Sequence, residues 1–227
     1  MIARIIKAVL FRVRRFFAKD HDRYLKKVKG VIHVGANTGQ EIELYEKYKL
    51  PVIWIEPIPE VFQVLKKNIT GHLKQYAWEA LVTDMNNKVY EFHVASNFGA
   101  SSSILELDLH KDIWPDINYE KTIKLKSITL DTLIEINKLD MSKYDTLIMD
   151  TQGSELLVLK GVESNLKYFT FVKTEVSDFE SYKGCCQLKD IEAFLFQRGF
   201  EEYSRNKFID HPQGGSYFDV IYKRKAS

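Results

Sequence analysis

The chain has few cysteines and no obvious metal-ligand spacing. Only Cys185 and Cys186 are present among its 227 residues, and they are adjacent. A disulfide between neighbouring residues closes a strained ring, so a structural disulfide is not expected, and a reducing compartment such as the cytoplasm fits best. The zinc-type spacings CxxC and HExxH are absent. The sequence therefore predicts no metal site.

Long hydrophobic runs are also missing from the first 29 residues. Their longest uncharged apolar run is Ala8 to Phe11, which is too short for a signal-peptide core or a membrane span. Residues 1–29 carry ten Lys or Arg against two Asp, and their apolar and basic residues fall on opposite faces of a helix. We predict a basic amphipathic helix over 1–29, followed by a domain over 30–227. This helix either contacts the inner membrane surface through residues 1–19 or packs on the domain or on a second subunit of a homodimer.

The dinucleotide spacing GxGxxG is absent as well, and a related pattern replaces it. The segment VIHVGANTGQ (31–40) has its glycines at GxxxG spacing, and the apolar run VIWIE ends in Glu56, 21 positions after Gly35. A glycine turn lets the chain leave a strand sharply, and the following helix offers unpaired N–H groups. A carboxylate about 20 residues further on reaches a ribose diol. The pattern favours an adenosyl ligand without a pyrophosphate.

Apolar segments alternate with helical ones beyond residue 30. The central apolar runs are mostly continuous, as is typical of strands that helices cover on both faces. The predicted strands are 31–35, 52–56, 75–81, 89–95, 122–128, 145–150, 169–176, 200–205 and 216–224, and the predicted helices are 38–48, 59–69, 128–137, 154–160 and 187–198. The fold class is therefore α/β, with a doubly wound, mostly parallel sheet. The segments 200–205 and 216–224 are expected to form an antiparallel hairpin at its edge.

Acidic residues stand at the carboxyl ends of three further predicted strands, where ligands bind in an open α/β sheet. Asp150 and Glu175 end neighbouring strands, and Glu79 ends the third strand beside Ala80. We predict Asp150 as the base that removes a proton from a hydroxyl acceptor and Glu175 as the residue that positions this acceptor. Glu79 or the backbone near Ala80 is expected to meet an adenine edge. For Asp150 and Glu175, capping the following loop is the structural alternative.

Four further features have both a structural and a functional interpretation. His33 and Trp54 lie inside predicted strands, and both are expected to be core residues, His33 with a hydrogen bond. The segment NFGASSS (97–103) either closes over a ligand, with Ser102 among its contacts, or is an ordinary turn. Trp114 lies in a segment expected to be exposed, and local packing is preferred over stacking on a sugar.

Five motifs in order carry a resemblance to a known family. They are VIHVGANTGQE, WIEPIPEVFQVLKKN, FGASSS, SITLDTLI and MDTQGSELLVLKG. From about Val31 to about Glu175 the chain resembles the FkbM-type methyltransferases, which are S-adenosylmethionine-dependent enzymes with the Rossmann-like class I fold. His33 stands where the family usually has Asp, and Gln152 where its motif often has Glu. The cofactor-binding residues that the resemblance and the strand ends imply are Gly35, Ala36, Asn37, Gly39, Gln40, Glu56, Pro57, Glu79, Ala80, Ser102 and Asp150.

The resemblance implies methyl transfer from S-adenosylmethionine to a hydroxyl of a sugar, glycan or secondary metabolite. The alternatives are N- or carboxyl-methylation of a small metabolite and a non-catalytic module that binds a membrane surface. A nicotinamide oxidoreductase is disfavoured because GxGxxG is absent. No basic stripe interleaved with aromatic residues runs through the α/β body, so nucleic acid is not expected as a partner.

Overall fold

The computed structural model describes residues 21–226, and these form two β-sheets, six α-helices and three short 3₁₀ helices. Most of the predicted N-terminal helix, residues 1–20, lies outside this part. Within the remainder of its predicted span, Asp22–Lys27 forms a 3₁₀ helix. The strands are β1 (Val31–Val34), β2 (Val52–Glu56), β3 (Gln75–Glu79), β4 (Leu81–Val82), β5 (Val89–Ala95), β6 (Tyr119–Ile128), β7 (Thr146–Met149), β8 (Phe171–Ser177), β9 (Phe200–Asp210) and β10 (Ser216–Arg224). The helices are α1 (Ile42–Lys47), α2 (Pro59–Asn68), α3 (His110–Ile113), α4 (Leu130–Ile136), α5 (Glu155–Lys160) and α6 (Leu188–Gln197).

The main sheet has seven strands in the order β3-β2-β1-β7-β8-β10-β9 among the described residues. The first five of these are parallel, whereas β10 runs antiparallel to both β8 and β9. Every residue of β1, β2 and β7 is buried, as their continuous apolar sequences predict. The doubly wound, mostly parallel sheet with an antiparallel C-terminal hairpin is thus confirmed.

Two apolar layers cover the sheet, one on each face. Helices α4, α5 and α6 pack over one face through residues such as Leu133, Leu159 and Leu195. The segment Asp22–Lys27 and helices α1 and α2 pack over the other face through residues that include Tyr24 and Leu65. The central strands therefore lie in a dry interior, and polar side chains become available to a ligand where these strands end.

The third predicted strand, 75–81, is divided in the structure. It breaks at Ala80, and β4 leaves the main sheet to pair with β6, while β5 pairs antiparallel with β6. Side chains alternate along β6 between half-buried and exposed positions over most of its length. Such a strand suits a sheet with one face in water rather than the doubly covered main sheet. The predicted segment 122–128 also begins earlier, at Tyr119.

The packed part of the chain begins before residue 30. Tyr24 and Leu25 are each 1% exposed and lie in the core beside α1. Asp22 forms an ion pair with Lys173 of β8, at 3.1 Å between Oδ1 and Nζ. Residues 22–25 therefore pack with the domain, and the division at residue 30 stays a prediction.

We expect Leu25→Ala to lower the free energy of unfolding by about 2–5 kcal/mol, because it leaves a cavity in a packed core. Leu73 is 87% exposed, and Leu73→Ala serves as the matched control, with a change within about 0.5 kcal/mol. Urea denaturation of both variants measures the two effects. Equal stability of the variants would show that Asp22–Lys27 does not pack on the sheet.

Candidate active site

A cavity of about 800 Å³ opens where β1, β2, β7 and β8 end. Strand order reverses here, because the chain moves outwards from β1 through β2 to β3 and later returns to β7 on the other side of β1. Ligands of open α/β sheets bind at such a switch point. Nine predicted site residues line the cavity: Gly35, Asn37, Gln40, Glu56, Pro57, Ala80, Ser102, Asp150 and Glu175. Ala36, Gly39 and Glu79 are not among the described residues that line it.

The two glycines of the first turn have different structural roles. Gly35 has φ +80°, and a Cβ there would lie 2.0 Å from the carbonyl oxygen of Asp150. This glycine therefore lets the ends of β1 and β7 approach each other. A Cβ on Gly39 would instead collide with Ile42 and Leu65, at 2.9 Å from each Cδ1. The missing side chain of Gly39 thus accommodates helix packing, and access of its backbone to a ligand stays a prediction.

Glu56 is a buried carboxylate at the end of β2, only 4% exposed. Its Oε2 accepts a hydrogen bond from the backbone N–H of Asn37, and its Oε1 accepts one from that of Ile58, both at 2.9 Å. Burial raises its pKa to about 7, although the two backbone hydrogen bonds oppose this shift. The carboxyl group is thus fixed in position at the cavity wall and titrates near neutral pH.

Apolar side chains, not an acid, line the cavity beyond β3. Glu79 ends this strand with an exposed side chain. Ala80, Leu81 and Phe92 line the cavity in its place. The chain leaves the main sheet immediately after Glu79, and this departure brings Leu81 of the second sheet to the site. The contribution of β4 and β5 to the cavity was not predicted from the sequence, because the predicted third strand continued through Ala80 to residue 81.

The segment 97–103 lies beside the first glycine turn and is internally bonded. Asn37 donates from Nδ2 to the carbonyl oxygen of Phe98 at 3.0 Å, which joins the two loops. Asn97 accepts from the backbone N–H of Ser101 at 3.1 Å, as in a side-chain-capped turn. Ser102 lines the cavity, but its hydroxyl oxygen already accepts from the backbone N–H of Ala95 at 2.9 Å. The segment has the hydrogen bonds of an ordinary turn and also forms part of the cavity wall.

Asp150 follows β7 and is held by a side-chain network. Its Oδ1 accepts a hydrogen bond from Nε2 of Gln152 at 2.5 Å, and Oε1 of Gln152 accepts one from the hydroxyl of Tyr182 at 2.7 Å. The register pairs Met149 of β7 with Thr174 of β8. Asp150 and Glu175 are the next residues of these strands, so the structure brings the two predicted acids together at one end of the cavity.

Lys173 and Asp219 extend this polar end and were not predicted from the sequence. Lys173 lies two residues before Glu175, so both side chains project from the same face of the sheet, and Asp219 of β10 is the cross-strand partner of Glu175. Burial lowers the pKa of Lys173, but the carboxylates of Asp219 and Asp22 outweigh it, so that the pKa lies above its usual value. The ammonium group therefore stays charged. A lysine inside an otherwise apolar strand sequence was the available signal.

His33 is a core residue in the structure, as predicted. It is 4% exposed, its Nδ1 lies 3.1 Å from the hydroxyl of Tyr45, and its ring stacks on Trp54 at 5.3 Å between centroids. Burial, with a further contribution from the charge of Lys173, lowers its pKa to about 3. His33 is neutral at physiological pH, and its Nδ1 is engaged with Tyr45. Trp54 is fully buried, as expected.

An aromatic wall, formed by His110, Trp114 and Tyr217, borders the acidic end of the cavity. The ring centroids of His110 and Trp114 are 4.6 Å apart, and those of Trp114 and Tyr217 are 5.4 Å apart. All three side chains line the cavity. Trp114 is half-buried, whereas the sequence suggested an exposed insertion. Burial lowers the pKa of His110 to about 4, so its imidazole is neutral.

Two features are absent from the part of the chain that the structure describes. No group of three or more His, Cys, Asp or Glu side chains within residues 21–226 is arranged to hold a metal ion. Within the same residues, no helix has the length and apolar character needed to cross a membrane.

The solved structures with a similar fold include two methyltransferases and an uncharacterised protein, each of low sequence identity. The methyltransferase domain of METTL16 has a TM-score of 0.51 and 10% identity, over 96% of this chain and 68% of that one. An uncharacterised protein from Listeria monocytogenes serotype 4b has a TM-score of 0.50 and 10% identity, over 91% and 69%. Magnesium protoporphyrin IX methyltransferase from Synechocystis PCC 6803, solved with bound S-adenosylmethionine, has a TM-score of 0.49 and 10% identity, over 96% and 79%. At such identities the first two likenesses, with TM-scores of 0.51 and 0.50, show the fold alone.

The family follows from the sequence itself. No curated protein matches the chain. The family described as Methyltransferase FkbM domain matches residues 33–202, which include β2, β7, β8, the last two residues of β1 and every cavity residue on these strands. Enzymes of this family use S-adenosylmethionine as their cofactor. The chain belongs to the FkbM methyltransferase domain family and is an S-adenosylmethionine-dependent methyltransferase.

Proposed function

We propose that this enzyme methylates a hydroxyl group of a neutral sugar, or of a glycan or metabolite that carries one. The composition of one continuous cavity of about 800 Å³ supports this proposal most. Its lining includes the buried carboxylate of Glu56, the strand-end acids Asp150 and Glu175, and the aromatic wall. When bound, S-adenosylmethionine supplies a methyl group already activated on a sulfonium centre. The protein then has to bind and align the acceptor and remove its proton.

The residues around Glu56 fit an adenosyl group. A carboxylate whose partners in the structure are the neutral N–H groups of Asn37 and Ile58 has lone pairs left for the two hydroxyls of a ribose. The apolar surface of Ala80, Leu81 and Phe92 beside it suits an adenine ring. In this arrangement Gly35 and Asp150 lie at the methionine end, with Asn37, Gln40, Pro57 and Ser102 at the margins.

The residues around Asp150 and Glu175 fit a sugar. Carboxylates accept hydrogen bonds from several hydroxyls, and Trp114 and Tyr217 offer ring faces against which the C–H face of a sugar can pack. Asp150 takes the hydroxyl proton, and Glu175 holds a neighbouring hydroxyl. We do not assign the role of base to His33, because its Nδ1 is hydrogen-bonded to the hydroxyl of Tyr45 and burial lowers its pKa to about 3.

An amine acceptor is the second candidate, and the charge of the cavity favours it. Besides Glu56, six lining carboxylates face two lysines: Asp22, Glu41, Glu43, Asp150, Glu175 and Asp219 against Lys47 and Lys173. This excess attracts a cationic amine and disfavours an acceptor that is a carboxylate. It also opposes entry of a phosphate backbone, which supports the prediction that nucleic acid is not the acceptor. Cytoplasmic location, membrane-surface contact and a homodimer stay predictions.

We expect S-adenosylhomocysteine to stabilise the protein. At about 100 times its dissociation constant it adds roughly 2.7 kcal/mol, or about 5–10 °C in Tm for a domain of this size. Differential scanning fluorimetry measures the shift, with NAD as the control ligand. A Tm unchanged at millimolar S-adenosylhomocysteine would contradict the adenosyl site.

The acceptor class is tested by labelled methyl transfer to four sets of probes: neutral monosaccharides, amino sugars, uronic acids and a short RNA. Labelling of neutral sugars supports the proposal, and the position of the methyl group, on oxygen or nitrogen, separates the two candidates. Labelling of the RNA alone would overturn both.

A further inference from the structure

We propose that Gln152 is the positioning residue that keeps the carboxyl group of Asp150 ionised and directed into the cavity. This inference rests on the proposed role of Asp150 as the base. A residue acting in this way touches Asp150 rather than the substrate, so its effect is exerted on the proton affinity of the base.

The hydrogen-bond network assigns the direction of the Gln152 amide. The hydroxyl of Tyr182 donates to Oε1 at 2.7 Å, so Oε1 is the accepting end and the NH₂ end faces Asp150 at 2.5 Å. Burial raises the pKa of Tyr182 well above its usual value, which keeps this hydroxyl a donor. Asp150 therefore receives a hydrogen bond from a neutral donor, and such a bond stabilises the charged form of a carboxyl group.

The backbone of Gln152 is fixed as well as its side chain. It adopts φ +54°, a conformation that a non-glycine residue occupies at a cost. Its carbonyl oxygen accepts from the hydroxyl of the buried Ser103 at 2.8 Å. The turn around it is closed by Glu155, whose carboxylate accepts from the N–H of Thr151 at 2.8 Å and of Gly153 at 3.1 Å. Hydrogen bonds at Thr151, Gln152 and Gly153 thus fix the backbone from which the Gln152 side chain extends.

Other ionisable groups along the same cavity bear on Asp150, which makes its local donor important. They come from β1, β2, β8, β10, α3 and the segment before α6, and they are His33, Glu56, Lys173, Glu175, Asp219, His110 and Tyr182. Glu175 is an acid on the neighbouring strand β8, and Asp219 lies on β10, one strand further from Asp150. The charge of Lys173 opposes protonation of Asp150, whereas the charge of both acids favours it. A hydrogen bond from Gln152 opposes this effect.

The test uses substitutions of Gln152 that nearly preserve the size of its side chain. Gln152→Glu replaces the donor by a second carboxyl group, and two such groups at hydrogen-bond distance share a proton, so that one pKa rises strongly. We expect the pKa of Asp150 to rise by about one unit or more in Gln152→Glu, and by less in Gln152→Met, which only removes the donor. Gln63 is exposed on α2, and Gln63→Glu adds the same charge without this contact, so it should leave the pKa of Asp150 unchanged.

The measurement is a ¹³C NMR titration of the side-chain carboxyl groups in the full chain with saturating S-adenosylhomocysteine, with Asp150 assigned from Asp150→Asn. An Asp150 pKa that is highest in Gln152→Glu, intermediate in Gln152→Met and lowest in the wild type supports the inference. An Asp150 pKa that is the same in all variants, in proteins that still bind S-adenosylhomocysteine, overturns the inference alone. If no variant and no wild-type protein binds this ligand, the proposed function fails instead.

Discussion

We expect Asp150→Asn to lower kcat by about 10²–10⁴-fold with the acceptor at saturation. Asn has nearly the same shape as Asp, so the packing around β7 and the turn that follows it is retained. It lacks basicity, and the hydroxyl proton of the acceptor then has no side chain to take it. The affinity for S-adenosylhomocysteine should change little, because the adenosyl contacts are attributed to Glu56 and its neighbours.

The matched control is Asp116→Asn, which changes an exposed aspartate between α3 and β6 and should keep wild-type turnover. Initial rates with a sugar that is labelled in the acceptor screen measure kcat, and calorimetry measures binding of S-adenosylhomocysteine. Wild-type kcat in Asp150→Asn would remove Asp150 from the mechanism and direct attention to Glu175. A large loss of cofactor affinity with unchanged kcat would make Asp150 a cofactor ligand instead.

The second large effect is expected at Glu56. Glu56→Ala should weaken binding of S-adenosylhomocysteine by about 1.5–3 kcal/mol, or roughly 10–150-fold, since hydrogen bonds to a charged acceptor are stronger than neutral ones. Glu79→Ala is the control, because that acid also ends a strand but lies exposed outside the cavity. Calorimetry on both variants gives the comparison. Equal affinities would show that Glu56 does not hold the ribose.

The pKa of Glu56 adds a pH dependence to this site. Ribose hydroxyls donate more strongly to an ionised carboxylate, so the wild-type affinity should increase as the pH rises through about 7, and Glu56→Ala should lack this increase. The stability of the ligand-free protein should change with pH in the opposite direction. A carboxyl group whose pKa is raised on folding stabilises the fold while protonated, so this contribution is lost as the pH rises from about 4.5 to about 7.

The sheet was predictable because its central strands are apolar on both faces. The continuous runs in β1, β2 and β7 permit little besides a strand buried between two helical layers, and Gly35, Glu56 and Asp150 stand at the carboxyl ends of these strands. Sequence order also predicted which acids would meet, since parallel strands present their carboxyl ends at one edge. The hairpin of β9 and β10 followed from its polar turn with Gly214 and Gly215.

The second sheet and the aromatic wall were not predictable in the same way. The break at Ala80 depends on whether the chain continues along β2 after Glu79 or pairs with the distant β6, and local sequence does not decide between distant partners. Trp114 and Tyr217 are about 100 residues apart in sequence and meet only because α3 packs near the start of β10. Glu79 was assigned to the site from its position at a strand end and from the family resemblance. Neither shows whether a side chain faces water or a ligand, and in the structure the Glu79 side chain is exposed.

A crystal structure of the full chain with S-adenosylhomocysteine tests the central claim most directly. We expect both ribose hydroxyls within about 2.6–3.2 Å of the Glu56 carboxylate, the adenine against Leu81 and Phe92, and the sulfur directed towards Asp150 and Glu175. A ligand that makes no hydrogen bond to Glu56, or whose sulfur points away from Asp150, would contradict it.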